Sequence, residues 1–260
     1  MSNASTQPPS KRDRLRSARD EMYRDLIIAA GEETFAAHGF DDTKMQDIAS
    51  AAGVSLKTVY KYFPGKQELY QAIKTRRGGE LVAEVERAVG RLAGDFPREP
   101  LRVMLTGMET HLRFFMSHPG YLQIILREGY IWFEQRARQD PGQEELWQRG
   151  RQVMEALFAF GIETGLFVPQ PVDAMVAHLI SLQQTRLATW VAAGMEDGPE
   201  TVIAAAQAEF VRFFCVPALA SAVLSPDGSR VIDAVTRPTE LLSRYRKQPP
   251  ELHVPVPTPS

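Results

Sequence analysis

Residues Thr43–Lys66 read TKMQDIASAAGVSLKTVYKYFPGK. The pattern predicts two short helices joined by the turn Ala51–Ser55, in which Gly53 tolerates the left-handed backbone that reverses the chain. Two short helices joined by a glycine-containing turn make a helix-turn-helix, and we place this motif at about residues 44–63.

Local start and stop signals support both helices. Thr43, with Gln46 three residues later, has the spacing of a capping box and predicts the start of the first helix. Ser55 is a favoured cap for the second helix, and Pro64-Gly65 ends it.

The second helix, Leu56–Phe63, has an apolar side and a polar side. Leu56, Val59 and Phe63 fall at i, i+3 and i+7 and define the inward direction. The other side suits a nucleic acid, because lysine and tyrosine bind phosphate oxygens and residues near a helix start contact base edges. Its outward and flanking residues are Lys57, Thr58, Lys61, Tyr60 and Tyr62. The alternative is a capped helix hairpin in an all-helical protein of another kind.

Charge is distributed unevenly along this part of the chain. Five cations against one acid give +4 over residues 11–19, one cation against seven acids gives −6 over 20–42, and four cations against one acid give +3 over 43–66. The basic residues 11–19 are interpreted either as a solvated tail or as an arm that follows phosphates. The net charge of −2 and the pI near 6.2 argue against a sequence-independent architectural DNA protein.

Many spaced positions agree with one known family. They are Ile27-Ile28-Ala29-Ala30, Phe35, Gly39-Phe40, Thr43, Asp47-Ile48-Ala49, Ala52-Gly53-Val54-Ser55, Thr58, Tyr60, Tyr62-Phe63, Lys66 and Leu69. Over residues 20–70 the sequence resembles the TetR/AcrR family of transcriptional regulators. The resemblance implies phosphate contacts from Thr43, Tyr60, Tyr62 and Lys66, and base contacts from Lys44, Leu56, Lys57 and Thr58. It also implies a three-helix DNA-binding domain followed by a helical domain that binds a small-molecule effector and dimerises.

The rest of the chain also looks helical, with proline or glycine at the joints and no sustained alternation of period two. We therefore predict an all-α protein. Its predicted parts are a disordered basic arm at 1–19, the helix-turn-helix domain at 20–70, an effector-binding and dimerisation domain at 71–224, and a Pro-rich tail at 225–260. Within the tail the pattern favours a short helix around residues 239–246.

Two late helices each carry an apolar face. Two such faces per subunit close a four-helix bundle across a twofold axis, so we predict a homodimer that binds a palindromic operator. The alternative is that the faces pack within one chain. The residues are Met175, Leu179, Leu182, Arg186, Trp190, Val202, Ala206, Phe210 and Phe213.

Two further stripes combine methionine and aromatic residues. They form either plain core or the lining of a mostly apolar effector pocket, with one histidine as its polar group. Their residues are Met104, Met108, His111, Phe115, Trp147, Met154 and Phe158. Separately, Gly78-Gly79 interrupts a helix and is either a hinge or a break between two helices.

Motifs for catalysis and metal binding are missing from the sequence. There is no Gly-rich phosphate loop, GxSxG or HExxH, Cys215 is the single cysteine, and five histidines lack metal-ligand spacing. We therefore predict no catalytic residues, no metal and no cofactor. With no apolar run long enough for a membrane span and no secretory signal, we expect a cytoplasmic location. The favoured function is a ligand-responsive repressor; the alternatives are an activator of the same fold and a helical enzyme with an accessory DNA-binding domain.

Overall fold

The computed structural model describes residues 10–92, 99–127 and 141–232. These residues form ten α-helices and no β-strand, so the predicted all-α class is confirmed. The helices are α1 Lys11–Asp42, α2 Met45–Ala51, α3 Leu56–Tyr62, α4 Lys66–Gly90, α5 Pro100–Ser117, α6 Pro119–Arg127, α7 Pro141–Glu163, α8 Val172–Ala192, α9 Pro199–Phe214 and α10 Pro217–Val223.

The chain divides into two compact units. The first unit ends at Arg76 and the second begins at Arg77, so the division falls inside α4. In the first unit α1, α2 and α3 pack against one another.

Helix α1 begins much earlier than its apolar pattern indicates. Residues 11–19 are helical, so the prediction of disorder there is wrong. The Ser10 side chain caps the helix by accepting the backbone N–H of Asp13 at 3.2 Å. Asp13 also places a negative charge in the first turn, which the helix dipole favours. The remainder of the predicted arm, residues 1–9, lies outside the described residues.

The core of the first unit joins all four of its helices. Ile27, Ile48, Val59 and Ile73 are fully buried, one from each of α1 to α4. At Gly39 the backbone has φ of 82°, which breaks the helical path of α1 near its end.

The capping box of α2 lies one residue later than predicted. Lys44, not Thr43, is the cap residue, and the Asp47 carboxylate accepts the Lys44 backbone N–H at 3.1 Å. The Thr43 hydroxyl instead donates to the Gly39 carbonyl oxygen at 2.6 Å. The sequence assigns the Thr43 hydroxyl to the cap of α2. In the structure this hydroxyl instead binds the Gly39 carbonyl oxygen at the kink in α1.

Helix α4 runs without interruption through Gly78-Gly79. The predicted break between two helices is wrong at this point. A Cβ on either glycine meets open space, so no close packing contact requires glycine there. The hinge hypothesis stays a prediction.

The second unit is built around α5. This helix packs against α6, α7, α8 and α9, while α8 also packs against α7 and α9. Its interior contains a cluster of four rings, in which Phe158 lies 5.6 Å from Phe167, 6.2 Å from Phe210 and 5.1 Å from Phe214 between ring centroids. Among the described residues, no helix is both long and apolar enough to cross a membrane.

The described part of the predicted tail folds back on itself. Leu224 and Val231 form an isolated bridge around a turn in which Ser225, Asp227 and Ser229 share hydrogen bonds. The predicted helix around residues 239–246 lies outside the described residues.

Candidate nucleic-acid interface

The turn between α2 and α3 adopts the geometry that its sequence predicts. Gly53 has φ of 65°, and the Val54 backbone N–H donates to the Ala49 carbonyl at 3.0 Å. Ser55 caps α3, since its side chain accepts the Thr58 backbone N–H at 3.1 Å. The helix-turn-helix is therefore formed at the predicted position.

One side of α3 anchors it to the first unit. Val59 and Phe63 are buried, and Leu56 is half-buried. The Arg24 guanidinium lies 4.8 Å from the centre of the Phe63 ring and donates to the Tyr62 carbonyl at 3.4 Å. The inward direction predicted from the helical spacing is confirmed.

The opposite side of α3 faces solvent. Lys57 and Lys61 are exposed, and Tyr60 is 48% exposed, which is high for an aromatic side chain. Thr58 is half-buried, with its hydroxyl 2.8 Å from the Ser55 hydroxyl. This surface offers two cations and a phenol hydroxyl to a polyanion.

A cluster around Asp20 holds the end of α3 against α1. The Tyr62 hydroxyl donates to Asp20 Oδ1 at 2.6 Å, and Lys61 Nζ donates to the same oxygen at 3.1 Å. The Tyr62 ring stacks on Tyr23 at 5.8 Å between centroids. Sequence reasoning missed Asp20 and Tyr23, because they lie about forty positions before α3 and no local signal joins them to it.

The hydrogen bonds of the Asp20 cluster also shift the pKa values of Asp20 and Lys61. The hydrogen bond from Tyr62, followed by the one from Lys61, lowers the pKa of Asp20. The hydrogen bond with Tyr62, followed by the one with Asp20, raises the pKa of Lys61. Both groups therefore remain ionised at neutral pH and form an ion pair at the edge of α3.

Three side chains predicted to contact phosphates have partners within the chain: Tyr62 in the Asp20 cluster, Thr43 and Lys66. Thr43 is only 2% exposed and its hydroxyl donates to the Gly39 carbonyl oxygen, so the phosphate contact predicted from Thr43 and the start of its helix stays a prediction. Lys66 Nζ donates to the Asp41 carbonyl at 3.0 Å and to the Thr43 carbonyl at 3.1 Å. The side chains of Thr43 and Lys66 therefore stabilise the corner between α1 and α2. The contact predicted from Lys66 stays a prediction, as does the base contact from the exposed Lys44.

The residues predicted to line an effector pocket lie in the interior of the second unit. Met104, Met108, Phe115 and Phe158 are buried, and Met154 is half-buried. The side chain of Trp147 lies outside the described part of the chain. Burial fits core and pocket lining equally, so the pocket stays a prediction.

Unpartnered polar atoms lie in the same interior. His111 Nδ1, Gln183 Oε1 and Gln184 Nε2 are buried and have no hydrogen-bond partner among the residues that the structure describes. Burial lowers the pKa of His111 to about 4, so its ring is neutral at physiological pH. Leaving a buried polar atom without a hydrogen-bond partner costs free energy.

Five residues predicted for a subunit interface are buried in the core of a single chain. This burial contradicts the prediction, because a side chain enclosed by its own chain cannot contact a second copy. They are Met175, Leu179, Val202, Ala206 and Phe210. Helical spacing identifies an apolar face but not which surface covers it.

The other four predicted interface residues reach the surface to different extents. Arg186 is half-buried and pairs with Glu209, with Nε to Oε2 at 2.9 Å, and Trp190 Nε1 donates to the Asp197 carbonyl at 2.9 Å. Leu182 is also half-buried. Phe213 is 52% exposed, and its ring lies 5.3 Å from the His178 ring and 5.0 Å from the Phe214 ring between centroids.

Comparison with known proteins assigns the first unit. Residues 27–73 match the family model described as bacterial regulatory proteins, tetR family. The chain is 32% identical over 124 residues to the HTH-type transcriptional activator FasR of Mycolicibacterium smegmatis, a match that covers 48% of this chain and 54% of that protein. It is 36% identical over 73 residues to the HTH-type transcriptional regulator RutR of Escherichia coli, covering 28% of this chain and 32% of that protein. The chain thus spans about half the length of FasR and about a third of RutR.

Solved structures extend the likeness to the second unit. The fatty acid degradation regulator FadR of Bacillus halodurans superposes with a TM-score of 0.60 at 16% identity, covering 73% of this chain and 94% of that one. The transcriptional regulator FadR of Bacillus subtilis, solved in complex with stearoyl-CoA, gives 0.55 at 17% identity, covering 68% and 94%. At these identities the likeness shows the fold alone. Residues 27–73 are thus similar to the tetR family of bacterial regulatory proteins.

Proposed function

We propose that this chain is a transcriptional regulator that binds a palindromic operator through α3 and leaves it when a small, largely apolar effector binds the second unit. The observation that carries the proposal is the exposed surface of Lys57, Tyr60 and Lys61 on a helix anchored by Val59 and Phe63. Such a surface fits the major groove, which admits an α-helix. We place the protein in the cytoplasm and assign it no enzymatic activity.

A homodimer supplies the second α3 that a palindrome requires. We assign the interface to the outward faces of α8 and α9, around Phe213. On α8 the exposed residues Ala177, Ser181, Thr185 and Thr189 follow one another at intervals of four and are all small. Small side chains allow two helices to approach closely, and an exposed phenylalanine beside them supplies apolar area to bury.

An acyl chain is the effector class that we favour. A structural neighbour was solved with stearoyl-CoA, and the interior of the second unit combines buried Met104, Met108 and Phe115 with unpartnered polar atoms. Apolar lining with a few polar groups is the usual composition of a small-molecule site.

Activation of transcription is the second candidate output. FasR, which matches nearly half of this chain, is named a transcriptional activator. Repression and activation use the same operator contact. A reporter expressed from the bound promoter separates them when its expression is compared with and without this chain.

The DNA-binding proposal is tested with Lys57→Ala/Tyr60→Ala. We expect affinity for a duplex selected from a random library to fall about 10- to 100-fold, because contacts to bases and phosphates are lost without disturbing the buried side of α3. Fluorescence anisotropy measures the affinity, and footprinting on the upstream region of the protein's own gene locates the site. Stearoyl-CoA added to the wild-type complex is expected to release the duplex.

The matched control is Arg91→Ala, which removes an exposed cation from the second unit. It is expected to bind like the wild-type protein. Full sequence-specific binding by the Lys57→Ala/Tyr60→Ala variant contradicts the assignment of α3.

A further inference from the structure

Helix α1 extends well beyond the part of the first unit that α3 contacts. It starts at Lys11, sixteen positions before the family match begins at residue 27, and all residues from 11 to 19 are exposed. This exposed extension carries five cations and one acid. Its position depends on its being continuous with the rest of α1.

Three arginines form a stripe on one side of the extension. Arg12, Arg16 and Arg19, called here the arginine stripe, fall at i, i+4 and i+7, and Tyr23 continues the series at i+11. Residues at these spacings share one side of a helix. Because Tyr23 stacks on Tyr62, this is the side of α1 that faces the end of α3.

The arginine stripe continues the exposed surface of α3. At about 1.5 Å rise per residue, Arg19 lies roughly 6 Å and Arg12 roughly 16 Å before Tyr23 along the axis. Asp20, the acid nearest the stripe, is held by Lys61 and Tyr62. At about 100° per residue, Glu21 lies on the opposite side of the helix and Asp13 lies about 90° round from the stripe.

The three guanidinium groups are available to a ligand. Among residues 10–92, 99–127 and 141–232, none of them forms an ion pair. Arginine binds phosphate oxygens in a bidentate fashion, and a row of arginines in line with a DNA-contacting helix matches a charged strand. We propose that the arginine stripe is a second phosphate-binding site, which contacts the DNA backbone in the flank beside the half-site bound by α3. This inference rests on the proposed function.

Duplex DNA fits these observations better than a membrane surface. The exposed apolar residues of this part of α1, Leu15, Met22 and Leu26, lie beside the stripe as one narrow line. An interfacial membrane helix needs a broad apolar face opposite its cations. The direct contact between the stripe side of α1 and Tyr62 of α3 favours the DNA.

The test compares two double variants in the full chain. Arg16→Gln/Arg19→Gln removes two charges from the stripe, and Lys11→Gln/Arg14→Gln removes two charges from the same extension away from the stripe. Glutamine forms helices about as well as arginine and lysine, and circular dichroism checks that helicity is kept. The probe is a duplex selected by the wild-type protein from a random library, used at full length and with its flanks trimmed stepwise.

We expect DNA binding by the stripe variant to depend less on the salt concentration and less on the length of the flanking DNA. Each phosphate contact contributes about 0.9 to the slope of log K against log salt, so the slope falls by about 2, while the preferred sequence is unchanged. Trimming the flanks weakens the wild-type protein and Lys11→Gln/Arg14→Gln but leaves the stripe variant almost unaffected. An equal fall in slope for both variants overturns the proposal, because bulk charge then explains the effect. An unchanged slope for the stripe variant overturns it too.

Two further outcomes separate this inference from others. If the wild-type protein selects no sequence, the proposed function fails before the variants are compared. If it selects a sequence and the stripe variant binds the duplex normally but loses binding to phosphatidylglycerol-containing vesicles, the stripe is a membrane site and only the present inference fails.

Discussion

His111 has a ring nitrogen that the interior of the second unit leaves without a partner. Burial lowers its pKa from 6.5 to about 4 in the folded protein. Between these two values the unfolded chain binds a proton that the folded chain does not, so stability falls as the pH falls from 6.5 towards 4. The shift corresponds to a loss of up to about 3 kcal/mol from this one residue.

We therefore expect His111→Phe to flatten the pH dependence of stability. The free energy of unfolding, measured by urea titration between pH 6.5 and pH 4, should fall less in this variant than in the wild-type protein. Gln183→Leu is the control, because it replaces another buried side chain with an unpartnered atom but cannot titrate. Parallel losses of stability in wild type and His111→Phe contradict the assignment.

Single residues also show where sequence reasoning fails at the site. Ser55 and Gly53 were assigned correctly because a cap and a left-handed glycine act on their immediate neighbours. Thr43 was misassigned because its partner, the Gly39 carbonyl, becomes available only when α1 kinks. The role of Asp20 depends on contacts with residues 41 and 42 positions away, for which the sequence carries no signal.

At the scale of the elements, the turn between α2 and α3 depends on one left-handed residue. Gly53 has φ of 65° and open space where a Cβ would lie. Gly53→Ala is therefore expected to cost about 1 to 2 kcal/mol through backbone conformation alone, without a steric clash. Urea unfolding of the full chain measures the loss, and DNA affinity should fall with it as α3 loses its fixed position.

Gly79→Ala is the opposite case and serves as the control. This glycine is helical and also has open space around it, so alanine should stabilise α4 by about 0.5 to 1 kcal/mol. If both substitutions destabilise the protein equally, the left-handed turn is not the cause.

The elements also differ in how far the sequence determines them. The bounds of α3 follow from Ser55 and Pro64-Gly65, which are strong local signals. The start of α1 does not, because residues 11–19 are mostly basic and contain a single large apolar residue, Leu15, so the pattern shows no apolar periodicity and favours an arm. Only the Ser10 cap indicates that residues 11–19 join the helix.

At the scale of the whole molecule, the proposed homodimer is tested at Phe213. Phe213 is 52% exposed on α9, and we expect Phe213→Asp to weaken dimerisation by 100-fold or more. Burying a phenylalanine is worth about 1.5 to 3 kcal/mol, and a twofold interface contains it twice. Sedimentation velocity over a range of concentrations measures the dissociation constant.

Ile232→Asp is the matched control, since Ile232 is 53% exposed but lies away from α8 and α9 in the sequence. It should dimerise like the wild-type protein. An unchanged dimer in Phe213→Asp, or a wild-type monomer, rejects the proposed interface.

The prediction of the subunit interface was wrong at Phe210, which is buried. Phe210 and Phe213 were assigned to one interface from their spacing, yet Phe210 is buried within the chain and Phe213 is on its surface. Two positions that are three residues apart on one helix differ in burial, because the burial of each depends on where the neighbouring helices end. Periodicity predicts the helices and their apolar faces, but only packing decides what each face contacts.

The helical extension of α1 has a consequence for which operators the protein favours. A coil that becomes ordered on DNA loses about 1 kcal/mol or more of backbone entropy per residue, whereas residues 11–19 are already helical in the free chain. A helical extension also cannot change its shape to follow a differently shaped DNA flank. If it lies along the flank, two operators with the same palindrome bind unequally when their neighbouring base pairs differ in groove width or bendability, although no side chain contacts those bases.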